Sequence, residues 1–153
     1  MENESGGKRE IRVSAQYIKD LSFENPRAPG SLGPTKAAPE TAVTVDINAG
    51  KLGDDLYEVE LKISTRVILE AATLFLVELN YAGLFTITGI PEDELETVLV
   101  VYAPSLLFPF ARRIIADTTR DGGFPPLMLD PVDFGKLYME RRAEAVSKKA
   151  KGN

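Results

Sequence analysis

Leu56-Tyr-Glu-Val-Glu-Leu-Lys-Ile-Ser-Thr65 and Thr73-Leu-Phe-Leu-Val-Glu-Leu-Asn-Tyr81 decide the fold. In the first, Tyr57, Val59, Leu61 and Ile63 alternate with Glu58, Glu60, Lys62 and Ser64. In the second, Thr73, Phe75, Val77, Leu79 and Tyr81 share one face, and Leu74, Leu76, Glu78 and Asn80 share the other. Alternation with period two in β-branched and aromatic residues is the pattern of a strand with one buried face. The second run continues to Thr88, with a break expected at Ala82-Gly83. Towards the N-terminus the pattern recurs at Thr41 to Asn48 and at Ile11 to Phe23. There Ile11, Val13, Ala15, Tyr17, Leu21 and Phe23 fall on one face, with Lys19 the exception. Arg12, Ser14, Gln16, Ile18, Asp20, Ser22 and Glu24 fall on the other. Asp20 and Glu24 then point the same way, roughly 13 Å apart. Short connections, including the Gly- and Asp-rich turn Asn48 to Asp55, suit antiparallel neighbours. The expectation is a four-stranded antiparallel sheet with one apolar and one mostly polar face.

Between the first two strands lies Asn25 to Glu40, with four Pro and two Gly in sixteen residues, a long extended loop. After the strands, Pro91-Glu-Asp-Glu-Leu95 opens a helix whose apolar positions Leu95, Val98, Leu99 and Tyr102 keep helical spacing. Pro104 is expected to stop it. Val100 and Val101 widen its apolar stripe, as at a subunit interface. A second helix is expected over Pro104 to Arg120, kinked or starting late at Pro109 and closed by Gly122-Gly123. Phe124 to Pro131 reads as an extended apolar linker. A last helix is expected from about Val132 to Lys148, with Phe134, Leu137, Tyr138 and Arg141 on one stripe. Strands followed by helices make the fold class α+β, with no internal repeat. The expected organisation is a disordered N-terminus over 1–10, one domain over 11–147 and a disordered basic tail over 148–153.

The chain has 153 residues, 44% hydrophobic and 27% charged, enough for one well-packed core. It has no Cys and no His, which excludes disulfides, thiol nucleophiles, Ser-His and Cys-His pairs and Cys/His zinc sites. The N-terminus MENESGGKRE is polar, unlike a signal or transit peptide. Val67 to Leu79, the most apolar stretch of the first half, is too short to span a bilayer. A cytoplasmic protein without membrane insertion is expected. Net charge is −5, unevenly spread: Ile11 to Val100 carries 7 basic and 14 acidic residues, and Val101 to Asn153 carries 9 and 6. An acidic body argues against nucleic acid and favours a partner with a basic patch.

Enzyme constellations are scarce. There is no Gly-rich dinucleotide fingerprint, phosphate loop or nucleophile elbow, and no cofactor or metal is implied. Asp54/Asp55 lies in a turn and Glu92/Asp93/Glu94 at a helix start, where acids are ordinary. Asp20/Glu24 sits on a flat face, suited to docking a cationic partner rather than to acid–base work. Seven Phe, five Tyr and two Pro-containing apolar loops supply either a core with an oligomer interface or a groove for extended apolar peptide, and composition does not separate the two.

Four segments are more specific. Tyr17-Ile-Lys-Asp-Leu-Ser-Phe-Glu-Asn-Pro-Arg-Ala-Pro29, Gly83-Leu-Phe-Thr-Ile-Thr-Gly-Ile90, Tyr102-Ala-Pro-Ser-Leu-Leu-Phe-Pro-Phe-Ala-Arg112 and Gly123-Phe-Pro-Pro-Leu-Met-Leu-Asp-Pro-Val-Asp-Phe134 occur in this order. Together they resemble SecB, the bacterial protein-export chaperone family, from about Ile11 to Arg142. The resemblance implies a four-stranded antiparallel sheet with helices on one side, and a homotetramer, a dimer of dimers joined through the helices. It implies a holdase that hydrolyses no ATP, binds unfolded preproteins and delivers them to the SecA translocase ATPase. The family's SecA-docking positions fall on Asp20, Glu24, Leu76 and Glu78. By analogy the preprotein groove takes Phe75, Phe85, Leu137 and Tyr138, with the Asn25–Glu40 loop as part of a wall.

Two departures stand out: the basic end with Lys148, Lys149 and Lys151, and Ala82 where the family usually has the first of two glycines. A SecB-like chaperone dedicated to an antitoxin or another specific client is the related alternative. The complete docking set favours export. A small-molecule-binding or enzymatic α+β domain would need a pocket with convergent polar groups that the sequence does not offer.

Overall fold

A computed structural model describes residues 8–35 and 37–151. Four strands, β1 (Glu10–Glu24), β2 (Glu40–Lys51), β3 (Leu56–Leu69) and β4 (Ala72–Thr88), form one antiparallel sheet in the order β1-β4-β3-β2. The alternation of β3 and β4 settles which strands lie in the middle. Their odd-numbered side chains from Tyr57 to Ile87 form the core, with Val59, Leu61, Val77 and Phe85 almost wholly removed from water. The strands β1 and β2 take the two edges, so the Asn25 to Pro39 segment carries the chain from one edge to the other. Leu52 and Gly53 N–H groups close the β2–β3 turn on the Leu56 carbonyl. The β3–β4 hairpin turns on Glu70 and Ala71, both at positive φ (53° and 64°). This is the two-residue turn whose twist matches paired strands.

The helices cover the odd-numbered face. A short α1 (Glu92–Thr97), a π-helical turn (Val98–Tyr102) and α2 (Ala103–Asp121) follow one another without a break. Pro104 therefore does not stop the helix as its sequence suggests. A π turn closes each bond over five residues, here from the Ala103 N–H to the Val98 carbonyl. The wider turn relieves the clash that a proline ring makes with the carbonyl four residues back. Pro109 lies on the exposed side within α2, so there is no late start either. The joined helix Glu92–Asp121 has 30 residues and is long and apolar enough to cross a membrane. Its inner side is spent on the sheet, where Ala103, Leu107, Ala111 and Ile115 are fully buried.

Helix α2 ends as its glycines require. Phe124 N–H bonds to the Thr119 carbonyl, Gly123 N–H to the Arg120 carbonyl, and Gly123 sits at φ +96°. The linker beyond it is pinned. The buried Thr119 hydroxyl accepts the Leu127 N–H at 2.9 Å and lies 3.0 Å from the Ile115 carbonyl. The last helix, α3 (Phe134–Lys151), runs three residues past its expected end, so Lys148 to Lys151 continue a helix where disorder was expected. The remainder of the tail, and residues 1–7 of the leader, lie outside the described residues.

Two expectations about side and continuity change. The strand β4 does not break at Ala82-Gly83. Instead Gly83 leaves room for a side chain of α2: a Cβ there would lie 2.8 Å from Leu107 Cδ2 and 2.7 Å from Phe85 Cε2. In β1, two extra residues, Ser14 and Lys19, enter the pairing with β4. Between these bulges the alternation is inverted. Ala15 and Tyr17 therefore face away from the helices, opposite Leu84 and Ala82, while Gln16 and Ile18 face them. The second bulge restores the original parity, and Leu21 and Phe23 return to the core side opposite Leu79 and Val77.

Leu107 and Phe85 are both fully buried and have nowhere to retreat. Gly83→Ala is therefore expected to cost about 1–3 kcal/mol of stability, read as a lowered denaturant midpoint with an unchanged slope. An unchanged midpoint would show that the helix is not seated on this glycine.

Candidate functional site

The face without helices is a pleated polar surface, and the register decides what meets on it. Glu24 is opposite Leu76, Ser22 opposite Glu78, and Asp20 opposite Asn80. The next strand places Arg66, Ser64 and Lys62 beside those three β4 residues. Asp20, Glu24, Leu76 and Glu78 are thus brought together on the helix-free side of two adjacent strands, as their alternation predicts. Among the described residues, Asp20, Glu24 and Glu78 join no ion pair. A shallow depression of about 370 Å³ opens beside them, lined by Asp20, Asp46, Lys62, Glu78 and Asn80 among others. Among the described residues no three His, Cys, Asp or Glu side chains gather as metal ligands.

Next to this patch lies a network that the alternation did not anticipate. The Tyr17 hydroxyl donates to Glu58 Oε2. Lys19 Nζ lies 3.1 Å from Glu58 Oε1 and 3.4 Å from Glu60 Oε2. Asn80 Nδ2 donates to Glu60 Oε2 at 2.6 Å and Asn48 Nδ2 to Glu60 Oε1 at 3.3 Å. The Asn80 bond is the largest influence holding the Glu60 carboxyl below its usual range, with Lys19 adding to it. Glu58 in turn raises Lys19 above the ordinary lysine range. Burial first, and then the bond and charge of Glu58, push the Tyr17 phenol from 10.0 to about 12. One signal in the sequence points here: Lys19 is the single charge on the apolar side of an alternating run, and a bulge is what moves it off.

The groove candidates divide. Phe75 is buried between Phe23 and Phe124, with ring centroids 5.9 and 4.6 Å away. Phe85 is wholly enclosed beneath α2. Leu137 and Tyr138 are half-buried and line an apolar recess of about 240 Å³ with Ile47, Val100 and the stem of Arg142. The structure therefore brings Leu137 and Tyr138 together at an accessible surface and places Phe75 and Phe85 in the core. The early part of the Asn25–Glu40 loop borders a separate depression with Leu69 and Leu74. Its Asn25 side chain donates to the Gly122 carbonyl. Arg141, on the same stripe as Leu137 and Tyr138, ties α3 to the edge of the sheet. Its guanidinium donates to the Val45 carbonyl at 2.6 Å and sits 3.0 Å from Asp46 Oδ1.

Known proteins resemble this chain in sequence and in fold. Residues 4–145 match the family model described as preprotein translocase subunit SecB. A protein-export protein SecB of Parvibaculum lavamentivorans is 52% identical over 142 residues, 93% of this chain and 84% of that protein. One of Maricaulis maris is 47% identical over 148 residues, 94% of this chain and 86% of that protein. In fold, the chain resembles a SecB-like chaperone of Mycobacterium tuberculosis solved with a peptide from an antitoxin. The TM-score is 0.66 at 16% identity, covering 80% of this chain and 90% of that one.

The raised Tyr17 phenol has a readable consequence. A tyrosine whose folded value exceeds its unfolded value of 10.0 contributes stability that is fully present below about pH 10 and is lost as pH rises towards 12. Spectrophotometric titration of the folded protein is expected to show a late-ionising phenol near 12 that Tyr17→Phe removes. A titration in which Tyr17→Phe removes a phenol near 10 would contradict the bond to Glu58.

Proposed function

The chain belongs to the SecB family and is a protein-export chaperone, and from that premise we propose that it holds unfolded preproteins without ATP hydrolysis and delivers them to SecA. The antitoxin-dedicated alternative is not favoured: the relatives at about half identity carry the export name, whereas the antitoxin-bound chaperone shares 16% identity.

The observation that carries the SecA reading is the shared outward face of Asp20, Glu24, Leu76 and Glu78. Three carboxylates around one leucine on a flat, helix-free surface suit a basic partner with a small apolar contact. Charges at such an exposed surface steer association and fix register more than they add affinity. Client binding calls for the opposite chemistry. Loose specificity for extended chains comes from apolar side chains and backbone hydrogen bonds, and each Å² of apolar surface removed from water contributes about 25 cal/mol. Leu137 and Tyr138 offer such contacts from the recess beside α3. Holding the unfolded chain lowers the population free to fold or aggregate by mass action.

The proposed assembly is a homotetramer, a dimer of dimers through the helices. The outer side of the joined helix supports it, since Tyr102 and Phe110 remain 47% and 42% exposed in the single chain. The proposed location is the cytoplasm, where unfolded preproteins are met before export, and no catalytic role or cofactor is assigned.

Asp20→Ala with Glu24→Ala is expected to weaken SecA binding about five- to tenfold and to leave affinity for an unfolded preprotein unchanged. Calorimetric titration of each partner reads both. Equal loss of the two affinities would sink the separation of the docking and client surfaces.

A further inference from the structure

Resting on the client-binding reading proposed above, we infer that the outer edge of β2 is where a segment of unfolded preprotein adds as a further antiparallel strand, and that Arg141 is the guard this segment displaces. The phase of the ladder shows what the edge offers. The Leu52 N–H bonds to the Leu56 carbonyl, so Leu56 turns its backbone groups towards β2, and each second residue of β3 after it does the same. Their partners therefore point inward: Thr44 opposite Ser64, Asp46 opposite Lys62 and Asn48 opposite Glu60. Val43, Val45 and Ile47 are left with N–H and C=O directed away from the sheet. Among the described residues no strand pairs with β2 on that side. The side chains of these three residues lie on the helix side, in register with Thr65, Ile63 and Leu61.

An edge of unpaired backbone groups invites another chain, and a positive charge laid on it blunts the invitation. Arg141 sits on this edge at its middle open residue, with Nη2 2.6 Å from the Val45 carbonyl and Nη1 3.0 Å from Asp46 Oδ1. The same side chain borders the apolar recess of Ile47, Val100, Leu137 and Tyr138. Edge and recess are therefore continuous. Residues opposite one another in an antiparallel pair share a face. A client residue that exchanges bonds with Val45 or Ile47 thus puts its side chain on the helix side, beside the recess. The edge asks only for a backbone, which every chain has, and the recess asks for apolar side chains at alternate positions. A folded protein has already paired its own backbone groups, so the occupant that fits is an extended segment of an unfolded one. Such a segment gives the Val45 carbonyl an N–H in exchange for the guanidinium. It also bonds at Val43 and Ile47, which Arg141 does not.

The probe is a short synthetic peptide with apolar residues at alternate positions, made unmodified, N-methylated at its apolar residues, or N-methylated at its polar residues. Each form is titrated by fluorescence anisotropy against the full chain and against two variants. Arg141→Met keeps the bulk of the stem and removes the donors. Asp46→Asn leaves Arg141 in place and weakens its other anchor. Antiparallel addition puts the N–H groups of the apolar residues on β2. Methylating those is expected to weaken binding about tenfold, and methylating the polar ones to leave it unchanged. Arg141→Met is expected to tighten binding of the unmodified and polar-methylated forms about three- to tenfold, with a smaller gain in Asp46→Asn. The apolar-methylated form should gain nothing. Equal effects of the two methylations, or a larger loss from the polar series, overturn strand addition. Unchanged or weaker binding by Arg141→Met, while the methylation pattern holds, overturns the guard. Self-association of Arg141→Met without peptide would give the edge to a second copy and overturns the inference as well. If neither the unmodified peptide nor an unfolded preprotein binds the full chain, the client reading fails first and takes this inference with it.

Discussion

The close approach of α2 to the backbone of β4 at Gly83 sets the terms for the rest of the molecule. Once Leu107 is seated there, one face of the sheet is committed to the core and the other is left to water. A strand residue has only two directions to point, so this contact assigns a side to the positions of the central strands around it, and β1 follows except between its two bulges. The apolar odd-numbered positions of β3 and β4 satisfy it, from Val59 to Ile63 and from Phe75 to Ile87, and the even-numbered ones are released for other work.

That division is what would let one small domain serve the two proposed partners, which are of opposite character. The helix side supplies apolar recesses bounded by Ile47, Leu137 and Tyr138, and an exposed helical flank at Tyr102 and Phe110. The sheet side supplies carboxylates on a flat surface where Lys19 pairs with Glu58 and Glu60 and Arg141 with Asp46, with Lys62 and Arg66 on the adjacent strand. Asp20, Glu24 and Glu78 stand outside those pairs. On the proposed reading, surfaces on opposite sides of a packed sheet would keep an extended client from competing directly with the docking partner.

Much of this is legible in the sequence, and the failures have physical causes. Period two announces all four strands, and it puts Asp20, Glu24, Leu76 and Glu78 on the outer face, where the register has them. It misplaces Ala15 and Tyr17 because a pair of bulges inverts a segment and then cancels, leaving both ends in phase; only the misfit of Lys19 betrays them. Pro104 suggests a helix end because sequence does not reveal the π turn that makes room for its ring. Ala82-Gly83 suggests a bend, whereas the glycine serves Leu107 on a helix far along the chain, a contact no local pattern encodes. Phe75 and Phe85 read as apolar and aromatic, yet periodicity gives the side of the sheet and not the depth of burial, so core and groove look alike.

The measurement that tests the two-surface account most directly is the mass, by light scattering on a sizing column, of a mixture of this protein, an unfolded preprotein and SecA. The account predicts one species containing all three, and no capture of the same preprotein once it has folded. Two separate binary complexes, with preprotein displacing SecA, would contradict it, because partners on opposite sides of the sheet have no reason to exclude one another.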